Sequence, residues 1–146
     1  MFEYGVMSLK RKKIVLIVYE NRDVRSFIRA ILTNGLPEYA LEVLTYPSSD
    51  TALQMIEKKN GNIDLISTNI HRPGMNGYRF IRVVKEKYPQ IKVLICSSHA
   101  GIQELQQFFD NNLVDGYIRK PFQAKEYLNR VKNIFNTQNV VRMNFS

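Results

Sequence analysis

The feature that most constrains the fold of this chain is the alternation of short apolar runs with amphipathic helical patterns, which repeats five times. The first run, Ile14–Val18, has five consecutive aliphatic residues, four of them β-branched, and is too short for a helix. Strands that alternate with helices in this way form βαβ units, whose parallel sheet is covered by helices on both faces. The pattern therefore predicts an α/β domain with a parallel sheet.

The same periodicities predict the remaining elements. The predicted strands are Ile14–Val18, Glu42–Tyr46, Asp64–Thr68, Lys92–Ser97 and Gly116–Arg119. The predicted helices run from after Asn21 to Gly35, from Ser49 to about Lys59, from the Gly77 loop to about Tyr88, from Ile102 to Asn111 and from Ala124 to Phe135.

Apolar residues at helical spacing predict which side of each helix packs on the sheet. They are Val24, Phe27, Ile28, Ile31 and Leu32, then Ile81, Val84 and Tyr88, then Ile102, Leu105 and Phe109, and finally Leu128, Val131 and Phe135. Asn34 and Gly35 both tolerate the left-handed backbone conformation, which predicts that the first helix ends in a cap of that kind.

Composition excludes several classes of protein. The 146 residues predict one domain, and 45% hydrophobic residues with only 7 Gly and 5 Pro exclude collagen-like and disordered chains. The single cysteine, Cys96, lies in an apolar strand and is expected to be a buried small hydrophobe rather than a reactive thiol. No disulfide, zinc site, signal peptide or membrane-spanning run is expected, which predicts a cytoplasmic protein.

The chain is basic, with 21 Lys and Arg against 13 Asp and Glu and a net charge of +8. This excess favours anionic partners. Four of the positive charges are consecutive, at residues 10–13. A basic run before a hydrophobic strand is more often a solvated flank that discourages aggregation than a nucleic-acid site.

Polar residues follow the apolar runs where a ligand would bind, because the site of an open α/β sheet lies at the carboxyl ends of its strands. These residues are Tyr19, Glu20, Asn69, His71, Arg72, Ser97, Ser98, Lys120 and Pro121.

From about Lys13 to Phe135 the chain resembles the receiver domain of the two-component response-regulator family. IVLIV before an acidic position, NIHRPGMNGYRFI, VLICSS and GYIRKPF match the family's motifs after the corresponding strands. The match is specific because order, spacing and strand context agree. The resemblance implies a flavodoxin-like (βα)5 fold, a doubly wound five-stranded parallel sheet in the order 2-1-3-4-5.

The resemblance also implies a mechanism. In this family an aspartate after strand three accepts a phosphoryl group from a histidine kinase, and two acidic residues after strand one help to hold Mg²⁺. A lysine after strand five neutralises the phosphoryl oxygens, since phosphoryl transfer depends mostly on positioning and charge neutralisation. A hydroxyl after strand four then binds the phosphate, and an aromatic residue on strand five turns inward.

The chain matches about half of this machinery. Lys120 and Pro121 match the lysine motif, Ser97 the switch hydroxyl, Tyr117 the switch aromatic, and Glu20 the second acidic position.

The chain departs from the family at two positions. Asn69 stands where the phosphoacceptor aspartate belongs, and Tyr19 stands where the first acidic residue belongs. An amide is a poor nucleophile that does not form an acyl phosphate, so phosphorylation of Asn69 is not expected.

We expect no cofactor, and weak or absent binding of Mg²⁺, because Glu20 is the one carboxylate left of the three that the resemblance implies. Arg72 and Lys120 would make the pocket more positive. His71 and His99 lie nearby in sequence but are expected to be solvated loop residues.

Simpler structural roles compete with these assignments. Glu20 can pair with Lys120 across the sheet edge, which is as well supported as a metal role. Ser97 and Ser98 can be ordinary strand-end hydroxyls, and Tyr117 can pack in the core with its hydroxyl at the surface.

The sequence therefore predicts a pseudo-receiver that is not an enzyme, is not phosphorylated on aspartate and acts through protein interaction. The expected partner is a histidine kinase, another signalling protein or a second copy of the chain, with no membrane partner. Family analogy places the docking surface on helix four, strand five and helix five. The candidate residues there are Gln106, Gln107, Asp110, Arg119, Lys125, Tyr127 and Arg130.

Alternatives stay open. A phosphorylatable regulator, with Asn69 engineered or another residue as acceptor, predicts Mg²⁺-dependent labelling by acetyl phosphate. A basic anion-binding or nucleic-acid-binding module predicts affinity that falls steeply with salt, but no helix-turn-helix spacing supports it. A third alternative is a small ligand, which the sequence does not name, in the altered pocket at Asn69 and Lys120.

The ends of the chain lack sustained periodicity and are expected to be loosely held. We expect a flexible basic tail at 1–11, the receiver-like domain at 12–136 and a C-terminal tail at 137–146. The last segment is too short to be an output domain, which predicts stand-alone function.

Overall fold

A computed structural model describes the backbone of residues 10–70, 76–98 and 102–145, and the side chains of 10–70, 76–98 and 105–136. Within these ranges the strands are β1 (Arg11–Val18), β2 (Tyr39–Tyr46), β3 (Leu65–Thr68), β4 (Lys92–Ser97) and β5 (Gly116–Arg119). The helices are α1 (Arg22–Gly35), α2 (Ser49–Lys58), α3 (Gly77–Lys87), α4 (Ile102–Asp110) and α5 (Ala124–Phe145).

The strands form one parallel sheet in the order β2-β1-β3-β4-β5, as the resemblance implied. Val18 pairs with Tyr46 on one side and with Thr68 on the other, and Ser97 pairs with Arg119. The strands therefore end at a common edge, and the residues that follow them meet there.

Two apolar cores cover the sheet because successive strand residues face opposite sides. Val15, Ile17 and Tyr19 of the β1 segment belong to the core under α1 and α5, whereas Leu16 and Val18 belong to the core under α2, α3 and α4. Both faces are buried, which explains the continuous aliphatic run that predicted β1.

Most of the predicted inward residues with described side chains are buried, but five are not, and the side chain of Ile102 lies outside the described residues. Val24 and Tyr88 are half-buried. Phe27 is 48% exposed, and Phe109 is 36% exposed while its neighbour Phe108 is buried. In α5, Tyr127 is fully buried and Leu128 is only half-buried. At these two positions of α4 and α5 the preceding residue faces the core, whereas Leu105, Val131 and Phe135 are buried as predicted. Both helices therefore keep the predicted side toward the sheet.

The first helix ends at Gly35, as predicted, but for a different reason. Its C-cap residue, Leu36, has φ −127°, and neither Asn34 nor Gly35 is among the positive-φ residues of the described ranges. A Cβ atom on Gly35 would lie 2.4 Å from Cδ1 of Leu128. A larger residue at this position would require the Leu128 side chain to move, because α5 packs closely on α1 here.

The prediction that the last helix ends at Phe135 is wrong, because α5 continues to Phe145. No glycine or proline follows Phe135, so nothing in the local sequence stops helix propagation. The division into 1–11, 12–136 and 137–146 stays a prediction. Within the described ranges, neither α5 nor another helix is long and apolar enough to cross a membrane.

A buried ion pair lies at the other end of the strands, where β4 and β5 begin. Lys85 of α3 places its Nζ atom 3.2 Å from Oδ2 of Asp115, which also accepts a hydrogen bond from the backbone N–H of Val93 at 2.8 Å. Burial lowers the pKa of Lys85, and Asp115 opposes this change. The pair joins α3 to β4 and β5, far along the strands from the edge where the polar residues converge.

Candidate functional site

The predicted site residues follow β1, β3, β4 and β5 at their common edge. Glu20 and Ser98 are exposed, Asn69 and Lys120 are half-buried, and Ser97 is buried with 4% exposure. The other predicted residues, His71, Arg72 and His99, lie outside the described residues.

Tyr19 fills the position of the first acidic residue with a buried aromatic side chain. It is 1% exposed, and its hydroxyl lies 3.1 Å from Oγ of Ser67. Burial raises the pKa of Tyr19 well above its ordinary value, so the phenol stays neutral. This side chain supplies no negative charge to the edge of the sheet.

The side chain of Lys120 contacts the ring of Tyr19 in place of a carboxylate. Its Nζ atom lies 5.1 Å from the ring centroid, within the range of a cation–π interaction. The predicted Glu20–Lys120 ion pair is not among those found in the described part of the chain. Lys120 therefore contacts the aromatic ring of Tyr19 rather than the exposed carboxylate of Glu20.

Arg25 holds the connection between β1 and α1, and sequence reasoning missed it. Its Nη1 atom donates hydrogen bonds to the carbonyl oxygens of Tyr19 at 2.8 Å and Glu20 at 2.7 Å. The Arg25 guanidinium group is therefore hydrogen-bonded to the backbone oxygens next to the carboxylate of Glu20. The only sequence signal was a basic residue in the first turn of the helix after the strand, a common pattern with no specific meaning.

Backbone contacts fix the segment around Asn69. Oγ1 of Thr68 lies 3.1 Å from the carbonyl oxygens of both Val18 and Asn69. The N–H of Gly77 donates to the carbonyl of Ile70 at 2.8 Å, and a Cβ atom on Gly77 would lie 2.5 Å from the carbonyl oxygen of Asn69. Only glycine therefore lets α3 begin this close to the end of β3.

The two residues matched to the family's switch are adjacent. The Tyr117 side chain is half-buried against the core under α2, α3 and α4, and its hydroxyl donates to the carbonyl oxygen of Ser97 at 3.4 Å. The backbone N–H of Lys120 donates to the same oxygen at 3.2 Å. This contact combines core packing with a polar link to the end of β4.

A polar cluster lies inside the core beneath Tyr19. Oγ of Ser67 is 4.0 Å from Sγ of Cys96, and the buried hydroxyl of Tyr127 has no hydrogen-bond partner among the described residues. Burial raises the pKa of Cys96 to about 11 and that of Tyr127 well above its ordinary value. Cys96 is thus a buried, protonated thiol, as its apolar strand predicted.

The burial of Tyr127 corrects the predicted partner surface. With 0% exposure, this side chain points into the core between α5 and the sheet and cannot contact a partner. The remaining candidates are exposed and define what is called here the α4–α5 face: Gln106, Gln107, Asp110, Arg119, Lys125 and Arg130.

The residues at the strand ends do not fit Mg²⁺. The ion prefers several oxygen ligands with carboxylates among them, but Tyr19 is a buried neutral phenol and Asn69 is an amide. The guanidinium of Arg25 already binds two backbone oxygens beside Glu20. Across the described ranges, no group of three or more His, Cys, Asp or Glu residues is placed to hold a metal ion.

The basic run is partly built into the sheet. Arg11, Lys12 and Lys13 belong to β1, and Nζ of Lys13 lies 3.9 Å from Oδ1 of Asp64 and 5.0 Å from the ring centroid of Phe135. Lys13 is thus engaged by the domain, which leaves a smaller free basic segment than the sequence suggested.

Sequence comparison assigns a family to most of the chain. The profile of the response regulator receiver domain matches residues 15–132. The heme response regulator HssR of Staphylococcus aureus strain MRSA252 is 26% identical over 100 residues, which is 68% of this chain and 43% of that protein. The chain therefore spans less than half the length of this curated relative.

Structural comparison finds the same fold. A response regulator receiver domain protein from Clostridium thermocellum aligns with a TM-score of 0.77 and 22% identity, over 88% of this chain and 98% of its own. The chemotaxis protein CheY4 of Vibrio cholerae aligns with a TM-score of 0.71 and 21% identity, over 86% and 99% of the two chains.

Proposed function

Because the chain belongs to the response regulator receiver domain family, it is a receiver domain of two-component signalling, and we propose that it works without aspartyl phosphorylation, through protein–protein interaction. The observation that carries this proposal is the buried, neutral Tyr19 beneath Lys120, combined with an amide at position 69. We further propose that the domain is cytoplasmic and has no enzymatic activity of its own.

The acceptor chemistry supports the first half of the proposal. The amide of Asn69 has neither the charge nor the nucleophilicity with which a carboxylate attacks phosphorus. The nearby hydroxyl groups do not replace it, because Thr68 contacts two backbone oxygens and is buried, and Ser97 is 4% exposed.

The electrostatics support the same conclusion. Mg²⁺ would have to bind beside the Lys120 ammonium and the Arg25 guanidinium with one carboxylate, that of Glu20, to offset them. Like charges in a partly buried site repel strongly, since the local dielectric constant is well below that of water.

A receiver without the covalent switch can still signal. A partner shifts its conformation only through different affinities for the available states. The contact of Tyr117 with Ser97 joins β5 to β4 at the border of the α4–α5 face, so partner binding there would change the packing near the strand ends. We propose this face as the docking surface for a histidine kinase, another signalling protein or a second copy.

A backbone amide NMR titration tests the proposal. Mg²⁺ and then beryllofluoride, a mimic of the acyl phosphate, are added to the native protein and to Asn69→Asp. We expect no saturable shifts at Glu20, Ser97 or Lys120 in either form. Response of the native protein would refute the loss of the phosphoryl site.

The Asn69→Asp form separates the remaining alternative. If it alone responds and the Tyr117 region rearranges, the protein is an ordinary regulator disabled at one residue, and the interaction-only proposal is wrong. The double variant Tyr19→Asp/Asn69→Asp serves as the comparison, since it restores both missing carboxylates.

A further inference from the structure

A groove lies between α1 and the segment that joins β5 to α5, next to Lys120. It encloses about 360 Å³. The residues that line it are Val24, Phe27, Ser98, Lys120, Pro121 and Phe122, four of which are apolar. The groove lies beside the strand ends and shares Lys120 with the site that the resemblance assigns to phosphoryl chemistry, while its aromatic residues lie outside that site.

The apolar part of the groove is held in place from below. The ring centroids of Phe27 and Phe122 are 6.2 Å apart, and Phe122 stacks on the buried ring of Tyr127 at 5.7 Å with an interplanar angle of 23°. Phe27 is nevertheless 48% exposed. The groove thus offers an aromatic surface that is formed before any ligand arrives.

The polar end of the groove is positive and lacks a counter-ion. Among the described residues that line the groove, none is acidic. Among the described ion pairs, none includes Lys120, whose ammonium group lies over the ring of Tyr19. An ammonium beside a hydroxyl, here that of Ser98, is a pair of donors suited to a carboxylate.

We propose that this groove binds a small amphipathic carboxylate. Its apolar body packs on Phe27 and Phe122, and its carboxylate pairs with Lys120 and accepts a hydrogen bond from Ser98. The volume of about 360 Å³ falls within the range of small-molecule pockets, about 300 to 1,000 Å³.

A free small molecule fits the groove better than a protein segment does. A stable protein interface buries about 800 Å² of each partner. Here the cation and the aromatic surface lie within one opening of about 360 Å³, which suits a smaller ligand. The inference rests on the proposed function in one respect, because Lys120 must not be engaged by a phosphoryl group.

The test uses phenylacetate as the probe and phenylacetamide as its uncharged match. In a backbone amide NMR titration without Mg²⁺ or beryllofluoride, phenylacetate should give saturable shifts at Phe27, Ser98 and Phe122. A Kd of about 1 mM is expected for a probe of this size. Phenylacetamide should bind at least about tenfold more weakly, because it lacks the charge.

Variants separate charge from apolar contact. Lys120→Gln should reduce the affinity for phenylacetate about tenfold and remove the preference over phenylacetamide. Phe27→Ser, at a largely exposed position, should weaken both probes alike. Lys58→Gln is the matched control, since this exposed lysine of α2 is neither in the groove nor on the α4–α5 face, and it should leave binding unchanged.

Three results would overturn the inference: no saturable shift up to about 10 mM phenylacetate, equal binding of the two probes, or full affinity in Lys120→Gln. The two proposals fail separately. A native protein that binds neither beryllofluoride nor phenylacetate refutes only the groove, whereas one that binds beryllofluoride refutes the proposed function.

Discussion

The hydroxyl groups of Tyr127 and Tyr19 lie in the same polar cluster, yet removing them should change the stability of the fold in opposite directions. The Tyr127 hydroxyl is buried without a hydrogen-bond partner among the described residues, and such a group costs about 1 to 3 kcal/mol. Tyr127→Phe removes that cost and keeps the ring that stacks on Phe122. We expect the free energy of unfolding to rise by about 1 kcal/mol.

Tyr19→Phe removes a hydrogen bond that the folded protein makes. The hydrogen bond to Oγ of Ser67 at 3.1 Å is lost, and the serine keeps a weak contact to the thiol of Cys96 at 4.0 Å. A net loss of about 1 kcal/mol is expected. The two variants should therefore differ by about 2 kcal/mol, which separates their urea midpoints by about 1 M at a slope of about 2 kcal/mol per M.

Urea unfolding followed by circular dichroism measures both midpoints against the native protein. Equal loss of stability in the two variants would refute the reasoning, because it would show that the Tyr127 hydroxyl has a partner, either Ser67 of the same polar cluster or a buried water molecule. Equal slopes for the three proteins are required for the comparison, since a changed slope indicates a changed unfolded state.

Three further predictions use the same assay. The pKa of the Cys96 thiol is raised from 9.0 to about 11, so between these pH values the folded protein keeps a proton that the unfolded chain loses. The contribution of this thiol to the free energy of unfolding is complete below pH 9 and falls by about 3 kcal/mol as the pH rises through 11. Cys96→Ala should flatten that decline, and an unchanged slope would contradict it. Asp115→Ala leaves the ammonium of Lys85 buried and unpaired and should cost about 3 to 5 kcal/mol, whereas a loss below about 1 kcal/mol would show that the amine is neutral. Gly77→Ala places a Cβ atom 2.5 Å from a backbone oxygen and should cost about 3 kcal/mol, more than Gly35→Ala, whose close neighbour is a side chain that can move.

The strands and their common edge could be predicted because a continuous aliphatic run in a chain of this length forms few structures other than a buried strand. The choice between two adjacent residues for burial, Phe108 or Phe109 in α4 and Tyr127 or Leu128 in α5, could not. Phe108 and Phe109 are adjacent aromatic residues, so an apolar stripe can be drawn through either, and only packing against the sheet decides between them. Tyr127 was assigned to the partner surface by family analogy, but its ring is wholly inside.

At the site, sequence identified the missing carboxylates but not what replaces them. The burial of Tyr19 follows from strand alternation, since Val15, Ile17 and Tyr19 share one face, and this signal was available in the sequence. The reach of Arg25 back to the end of β1 could not be inferred, because a long side chain has many conformations and the pattern does not select one.

The substitutions at positions 19 and 69 have to be considered together. Asn69→Asp alone returns one carboxylate but leaves Tyr19, whose ring holds the Lys120 ammonium by an interaction of about 0.5 to 2 kcal/mol. Tyr19→Asp alone puts a carboxylate at a position that is 1% exposed, beside Ser67 and without a metal ion to offset its charge. Each single substitution therefore leaves a barrier to Mg²⁺ binding that the other substitution removes. If the double variant binds Mg²⁺ and beryllofluoride while both single variants do not, Tyr19 is as decisive as Asn69 for the proposed loss of aspartyl phosphorylation.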